Sequence, residues 1–547
     1  MTKHKEILFL LFAAALVLLA TVGTYGIIET SDARYAEIGR EMFLSHDWLH
    51  PNLLDIHHYH KPPITYQITA LGYDLFGINP FGARFFLQIA ILIQMLLVYL
   101  LTLQFVKNRK TALWASAIYF SFPLVLIASR NLTTDAFLTA FTLFAVYAWV
   151  VYRKSGKFLW LYLFTLSLGL GFLTKGPVVF LAPAVFALFY NRFEQSKQAW
   201  SIHHIAAWSL FIIVSASWFI YLAVDNPAFW DYFIGRQTVD RFSHNVFNRS
   251  EPFWYFIVSA PLLGMPWLLL LPWFFKKLKL QWGTKNIESI LLLSVAVVLL
   301  FFSVSTSKRI LYILPLYPLL AVATALMLHT LKEAHSRFVL RFVGGYALLL
   351  FTALGIAPWI PGKISFPALL TPVSILLLLW LVWFWRNSAM EEKSKSVLIS
   401  FVTASYFLLA ATSLFSYSVQ SFKIATPAAT WLKENHLDKE EILVYNRRLP
   451  SLAFELNHSV ISLYDGDRSL NREVQFEKDQ KWKQYLYNLG NKSEQERLEV
   501  LLKSKPTVLI AYNIQLPVAR AWLKAYYPNK QTIGKWTIYY QKRGKKQ

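Results

Sequence analysis

The sequence predicts a polytopic α-helical membrane protein of about thirteen spans, ending in a small α/β domain outside the cytoplasm. Three observations predict it. Hydrophobic residues make up 56% of the 547, above the roughly 45 to 50% of ordinary soluble domains. Apolar runs long enough to cross hydrocarbon recur along most of the chain. Lys and Arg gather in alternate connections between those runs, as they do on the cytoplasmic side of membrane proteins.

The runs fall at roughly 7 to 28, 84 to 105, 111 to 128, 136 to 151, 158 to 173, 178 to 190, 205 to 224, 253 to 275, 288 to 304, 310 to 328, 342 to 358, 368 to 385 and 397 to 416. An odd number puts the termini on opposite sides. The basic connections are Lys107 to Lys110, Arg153 with Lys154 and Lys157, Arg192 with Lys197, Lys276 with Lys277 and Lys279, Lys332 with Arg337, and Arg386 with Lys393 and Lys395. These and the N-terminus are assigned to the cytoplasm. Lys3 and Lys5 precede the first run and no small-residue cleavage site follows it, so it reads as a retained anchor. Pro261, Pro266 and Pro272 mark the 253 to 275 run for a kink or a re-entrant piece.

The other side receives loop 29–82, short turns around Asp135, Lys175 and Lys308, loop 225–252 and the tail. Residues 1–420, both loops included, are therefore expected to form the transmembrane catalytic domain, and residues 421–547 a soluble one. In that tail, β-like runs at 442–445, 459–463, 507–511 and 536–540 alternate with helical patterns such as 494–503. It carries no Gly-rich phosphate loop or dinucleotide fingerprint.

The net charge is +23, yet the cations lie in short clusters between apolar runs, which reads as topology and argues against a nucleic-acid partner. With no cysteine, disulfides, thiolate metal sites and a cysteine nucleophile are excluded.

The candidate chemistry lies on the outer side. Asp32 follows the first span at once, with Arg34 two residues on: a carboxylate fixed at the lipid boundary can act as general base or hold a cation, or else Ser31 or Asp32 merely caps an amphipathic surface helix that also carries Glu37 and Arg40. In Tyr59-His60-Lys61-Pro62-Pro63 two prolines stiffen the backbone behind a lysine at a helix start, which suits a phosphate; the alternative is a lysine snorkelling to head groups. His57, His58 and His60 could hold a divalent metal such as zinc, or do nothing specific. Asp135 caps a helix or lines a cavity, Lys175 is costly at that depth unless it meets an anion, and Lys308 with Arg309 recognises phosphate or faces head groups. The aromatic, basic loop with Arg236, Arg241 and Arg249 reads as an amphipathic helix on the membrane or as a gate over a lipid entrance.

The order of these motifs resembles the lipid-dependent GT-C glycosyltransferases. Asp32-Ala33-Arg34-Tyr35-Ala36-Glu37-Ile38, His46-Asp47-Trp48, Tyr59 to Pro63, Phe76-Gly77, Thr174-Lys175-Gly176-Pro177 and Ser307-Lys308-Arg309 carry the resemblance. The nearest branch is the bacterial aminoarabinose transferases of lipid A, related to the protein O-mannosyltransferases. The resemblance implies a GT-C membrane fold, Asp32 as catalytic base, and Arg34, Tyr35, Tyr59, Lys61, Lys308 and Arg309 on the donor phosphate. Asp135, Lys175, Glu37 and Arg241 are further site-lining candidates. It implies inverting transfer of a sugar from a polyprenyl-phosphate carrier to a lipid A, other glycolipid or protein acceptor. His60 stands where the family has Glu, and Arg236-Gln237 where it has Glu-His, positions linked to a zinc site in that branch. The rival class is a transporter or flippase of lipid-linked sugars, for which internal repeats and interrupted midplane helices are the signature; neither is seen.

Overall fold

The computed structural model describes residues 5–194, 199–232, 251–279, 286–362, 364–466 and 474–541. Among these, nine helices are long and apolar enough to cross a membrane. Two bent helix pairs, Arg109–Ser121 with Pro123–Arg130 and Tyr255–Leu263 with Leu268–Leu278, raise the number to eleven if each is one span. Lys5–Leu19 and Pro177–Phe193 are shorter apolar helices. Every apolar run of the sequence is thus met by helix, although two fall short of a full span by themselves. The bends have local causes. Phe122 precedes Pro123 and is extended, closing the first helix of its pair, and the second pair turns by 114° across the break from Gly264 to Trp267, which contains Pro266.

The chain divides into two compact units, Met1–Val22 with Phe85–Tyr417, and Gly23–Arg84 with Ser418–Gln547. The first is the helical, membrane-spanning unit. Helix Phe158–Lys175 packs against Thr134–Ser155 and Ile202–Asp225, and its glycines permit the approach: a Cβ on Gly171 would stand 2.4 Å from Val179 Cγ2, and one on Gly169 3.0 Å from Val214 Cγ1. Ile375, Leu376, Leu379, Val382 and Trp383 stay exposed along one face of helix Leu370–Asn387, an apolar stripe at helical spacing that suits lipid.

The second unit joins the first loop to the tail, so loop 29–82, grouped with the membrane part by sequence, shares its unit with the C-terminal sheet domain. Its sheet has the order β3-β2-β1-β4-β6-β5, with β1 Glu441–Tyr445, β2 Ile461–Tyr464, β3 Leu486–Asn488, β4 Thr507–Tyr512, β5 Asn529–Ile533 and β6 Trp536–Tyr540. The first four are parallel and β6 and β5 antiparallel. Helices α1 Ser31–Ser45 and α2 Ile64–Phe76 come from the loop, and α3 Thr426–Glu434, α4 Pro450–Leu456 and α5 Lys492–Ser504 from the tail. The crossovers β1-α4-β2 and β3-α5-β4 are the connections parallel strands require. One buried core side of the sheet gathers Leu443, Leu463, Leu498, Leu509, Ala511 and Leu523. Strands β1 and β4 lie at its centre, where the chain first builds outward to β2 and β3 and then returns to the other side.

Candidate functional site

Loop and tail are stitched together just before α1. Ile28 bridges Ile424, and the Glu29 N–H donates to the Lys423 carbonyl at 2.8 Å. The chain runs so close to the tail that a Cβ on Gly26 would lie 2.2 Å from Thr426 Oγ1, a position only glycine accepts.

Asp32 is 4% exposed. Its Oδ2 accepts from Arg84 Nη2 at 2.5 Å and from the Ile28 N–H at 3.0 Å, and its Oδ1 accepts from Arg84 Nε at 3.3 Å. Arg84, fully buried, also donates to the Tyr25 and Gly26 carbonyls at 3.2 and 3.0 Å and lies 4.1 Å over the Tyr25 ring. Thr30, the residue before α1, makes no side-chain cap; Asp32 reaches back from inside the first turn and fixes the approach. A charge so buried needs this much satisfaction to be tolerated.

Further along α1, Glu37 takes two bonds from Arg40 at 2.8 and 2.7 Å. Glu41 accepts the backbone N–H groups of Leu54 and Asp55 at 2.5 and 3.1 Å. Burial, with the neighbouring Glu37 and Asp55 carboxylates, raises the Glu41 pKa well above the usual carboxylate range. Tyr35 stacks on Tyr66 with centroids 5.3 Å apart, and Tyr59, 1% exposed, stacks on His57 at 5.2 Å and meets Phe476 at 5.1 Å. Both tyrosines are thus built into packing. Lys61 is half-buried one residue before the two prolines that lead into α2.

The histidines do not assemble a metal cage. His57 pairs with Asn52 Oδ1 at 2.7 Å while the rings of His58 and His60 lie 4.2 Å apart. Among the described residues no three His, Asp or Glu side chains converge as metal ligands. The positions Arg236, Gln237 and Arg241, and with them the gate reading, lie outside the described residues.

A cavity of about 510 Å³ opens within this second unit. Glu29, Thr30 and Arg34 line it from the loop, and Lys423 from the start of the tail. The remaining wall is the carboxyl ends of three parallel strands: Asn446 to Pro450 after β1, Asp465 and Gly466 after β2, and Tyr512 with Ile514 at the end of β4. Asn446 and Asn513 are left-handed, with φ of 47° and 54°, and turn the chain sharply off the sheet. Glu29 is half-buried here, its Oε1 accepting the Ser451 N–H at 2.8 Å. Burial pushes its carboxyl up to about 7, against the lowering influence of the Ser451 N–H, Arg34 and Lys423. Asp465 is occupied: Arg520 donates to both its oxygens at 3.1 and 2.9 Å, and the Tyr445 hydroxyl to one at 2.5 Å. Arg520 holds it below the usual carboxylate range.

In the membrane unit, Lys175 forms an ion pair with Asp135 and lies 4.6 Å over the Tyr312 ring. The lysine that needed an anion at that depth finds one in the candidate from the preceding turn. Lys308, 6% exposed, donates to the Glu251 and Ser305 carbonyls at 2.8 and 2.6 Å, and burial lowers its pKa. Arg309 is half-buried beside it.

Sequence reasoning passed over Arg84, Lys423, Arg447 and Arg448, and gave Glu29 no role. Arg84 had a signal, since an arginine at the head of an apolar run must find a carboxylate. Arg447 and Arg448 follow a β-like run directly, where ligand-contacting loops of parallel sheets lie. Lys423 and Glu29 had no local signal.

The family model for dolichyl-phosphate-mannose-protein mannosyltransferases matches residues 7–233. The chain is 28% identical over 395 residues to undecaprenyl phosphate-alpha-4-amino-4-deoxy-L-arabinose arabinosyl transferase 1 of Pseudomonas fluorescens, covering 70% of this chain and 71% of that one. It is 31% identical over 316 residues to the transferase of that name from Aeromonas hydrophila, covering 56% of each. The chain thus spans from 56% to 71% of the length of these two curated relatives. Among solved structures, ArnT from Cupriavidus metallidurans bound to undecaprenyl phosphate shares the fold, with a TM-score of 0.80 over 98% of both chains at 16% identity. In motif order and in sequence the chain is thus similar to the lipid-dependent GT-C glycosyltransferases, the group that includes the bacterial aminoarabinose transferases, and it shares the fold of ArnT.

Proposed function

We propose that the protein moves a sugar, with inversion, from a polyprenyl-phosphate carrier to a cell-envelope acceptor, a glycolipid such as lipid A or a protein, on the outer face of the bacterial inner membrane. The observation that carries the donor is the name shared by relatives at 28 to 31% identity, which specifies an undecaprenyl-phosphate-linked aminosugar. The alternation of basic loops supports a cytoplasmic N-terminus and an extracytoplasmic second unit.

In this reading Arg34, Lys61, Lys308 and Arg309 neutralise the phosphate that departs, a charge that grows through the transition state and is best met by cations already in place. Tyr35 and Tyr59, locked by stacking, set the segments that carry Arg34 and Lys61. Asp135, Lys175 and Glu37 are further site-lining candidates, as is Arg241 by sequence. Asp32 is the base that takes the acceptor's proton, and Arg84 holds it on the turn that presents Arg34.

The test is product analysis with purified protein, a panel of polyprenyl-phosphate sugars and envelope acceptors. The expected result is acceptor gaining one sugar and free polyprenyl phosphate appearing in equal amount. Movement of the lipid-linked sugar across proteoliposomes with no transfer to any acceptor would replace this reading with a transporter.

A further inference from the structure

The first loop contains a turn that its own residues disfavour. The Leu53 N–H donates to the Ile56 carbonyl at 2.8 Å and the Ile56 N–H to the Leu53 carbonyl at 3.3 Å, so Leu54 and Asp55 form the two-residue tip of a tight hairpin. Both are left-handed, each with φ of 53°, a pattern that chains usually write Asn-Gly. A leucine there is strained, because its Cβ crowds the backbone. Leu54 is also buried, at 1% exposed, so the tip is packed into the unit.

A carboxylate holds it in place. Successive N–H groups in such a turn point to one side and make a small concavity for an anion. Glu41 on α1, itself 7% exposed, fills it: one oxygen takes the Leu54 N–H at 2.5 Å and the other the Asp55 N–H at 3.1 Å. Both oxygens accept at once, which suits the ionised group, since protonation turns one of them into a donor.

The hairpin leads to Lys61. Its arms are joined by the Asn52–His57 bridge and by the His58 N–H on the Pro51 carbonyl at 2.8 Å. From the tail, Glu477 Oε1 accepts the His57 N–H at 2.6 Å and Arg448 donates to the Leu53 carbonyl. Lys61 follows His58 by three residues, with the two prolines behind it. A slip at the tip therefore passes along a stiff arm to the ammonium.

We propose that Glu41 is a positioning residue for Lys61: seated on the N–H groups of Leu54 and Asp55, its carboxylate holds the hairpin that aims the lysine, so that donor affinity depends on Glu41 being charged. The inference rests on the reading of Lys61 as a cation for the donor phosphate. Glu37 and Arg40 face Glu41 from its own helix, Asp55 from the hairpin and Tyr485 from just before β3. Burial with the two carboxylates raises its pKa, against Arg40. A folded chain with a raised value keeps a proton that the unfolded chain has shed, so this group's share of stability is present in acid and fades as pH rises through the folded value. Donor affinity runs the other way, weak in acid and gained on the same rise. A residue that served the fold alone would move both together.

The experiment measures binding of polyprenyl phosphate in detergent at matched salt across a pH series, with melting followed on the same samples. Wild type is expected to lose about tenfold in affinity on acidification, and Glu41→Gln to be weaker by about that factor at every pH, without the acid limb. Glu41→Gln added to Lys61→Ala should cost nothing beyond Lys61→Ala alone, since the two changes remove one contact. Asp55→Gly, which gives the exposed tip position a residue that takes the left-handed conformation freely, should recover part of the affinity lost in Glu41→Gln. Glu41→Gln with the affinity and pH response of the wild type would overturn the inference, and so would a double variant weaker than Lys61→Ala by the full factor; both leave the glycosyl-transfer reading standing. Wild type that binds no polyprenyl phosphate at any pH would overturn both.

Discussion

Two neighbouring carboxylates on the same turn of chain have opposite surroundings. Asp32 is packed shut beneath Arg84, with both oxygens taken and a backbone N–H besides. Glu29 takes one N–H from Ser451 and looks into a cavity ringed by cations. The difference teaches that a motif position says which residue types occur, while the side chain's partners decide what its charge costs. By electrostatics, a buried pair is costly to break, and a buried carboxylate without such a partner is costly to keep charged.

The comparison breaks most severely at Arg84. Arg84→Leu leaves Asp32 buried and unpaired, and should destabilise the second unit by about 3 to 5 kcal/mol. Fluorescence-detected size exclusion in detergent would show loss of folded protein. Adding Asp32→Asn to Arg84→Leu should restore part of that loss, because both ends of the pair are then gone. A double variant as unstable as the sum of the singles would mean that the two residues act independently.

Lys61 should give the next largest effect. If the prolines behind it aim its ammonium at the donor phosphate, Lys61→Ala and Lys61→Arg both lose donor affinity and activity, by about tenfold or more, because the planar fork of arginine cannot substitute for a point charge at that angle. Polyprenyl-phosphate binding in detergent at matched salt is the measurement. Full affinity in the arginine variant would return Lys61 to a head-group anchor.

A smaller effect sharpens the Glu29 side. Its pKa is raised on folding from 4.5 to about 7, so between those values the unfolded chain has lost the proton that the folded chain keeps. Its contribution to stability is therefore fully present below about 4.5 and fades as pH rises to about 7, at a slope of no more than about 1.4 kcal/mol per pH unit. Glu29→Gln should flatten this part of the pH-stability curve; an unchanged slope would place its origin elsewhere, Glu41 being the next carboxylate to examine. The smallest change is expected from Asp465→Asn. Its pair with Arg520 is partly exposed, and unfolding free energy, followed by thermal melting, should fall by only about 1 kcal/mol.

Much of the fold was legible because hydropathy over twenty residues is a strong signal: each apolar run from 84–105 to 397–416 has its helix or bent pair. Strands β1, β2, β4 and β6 were visible as β-branched and aromatic runs. The edge strands were not, since Leu486–Asn488 is three residues long and Asn529–Ile533 reads Asn-Lys-Gln-Thr-Ile with no apolar face. The site was less legible than the fold. Asp32, Arg34 and Lys61 stood out as charges at a membrane boundary, but the partner of Asp32 is an arginine 52 residues away. The cavity depends on Glu29 meeting Lys423 and on the order of parallel strands, neither of which leaves a local pattern. Pairing of loop 29–82 with the tail in one unit escaped notice for the same reason.

The sheet's two borders have a consequence for life on a crowded membrane. One border, β3, is too short to template another strand, and the other, β5, shows Lys530, Gln531 and Thr532 to solvent. Free strand edges invite neighbouring copies to add themselves by backbone bonding, and brevity or an outward lysine discourages it. Proteins held in a membrane meet one another at high local concentration with their soluble parts at one height, so an adhesive edge would chain them together. These borders let the second unit stay a solitary neighbour.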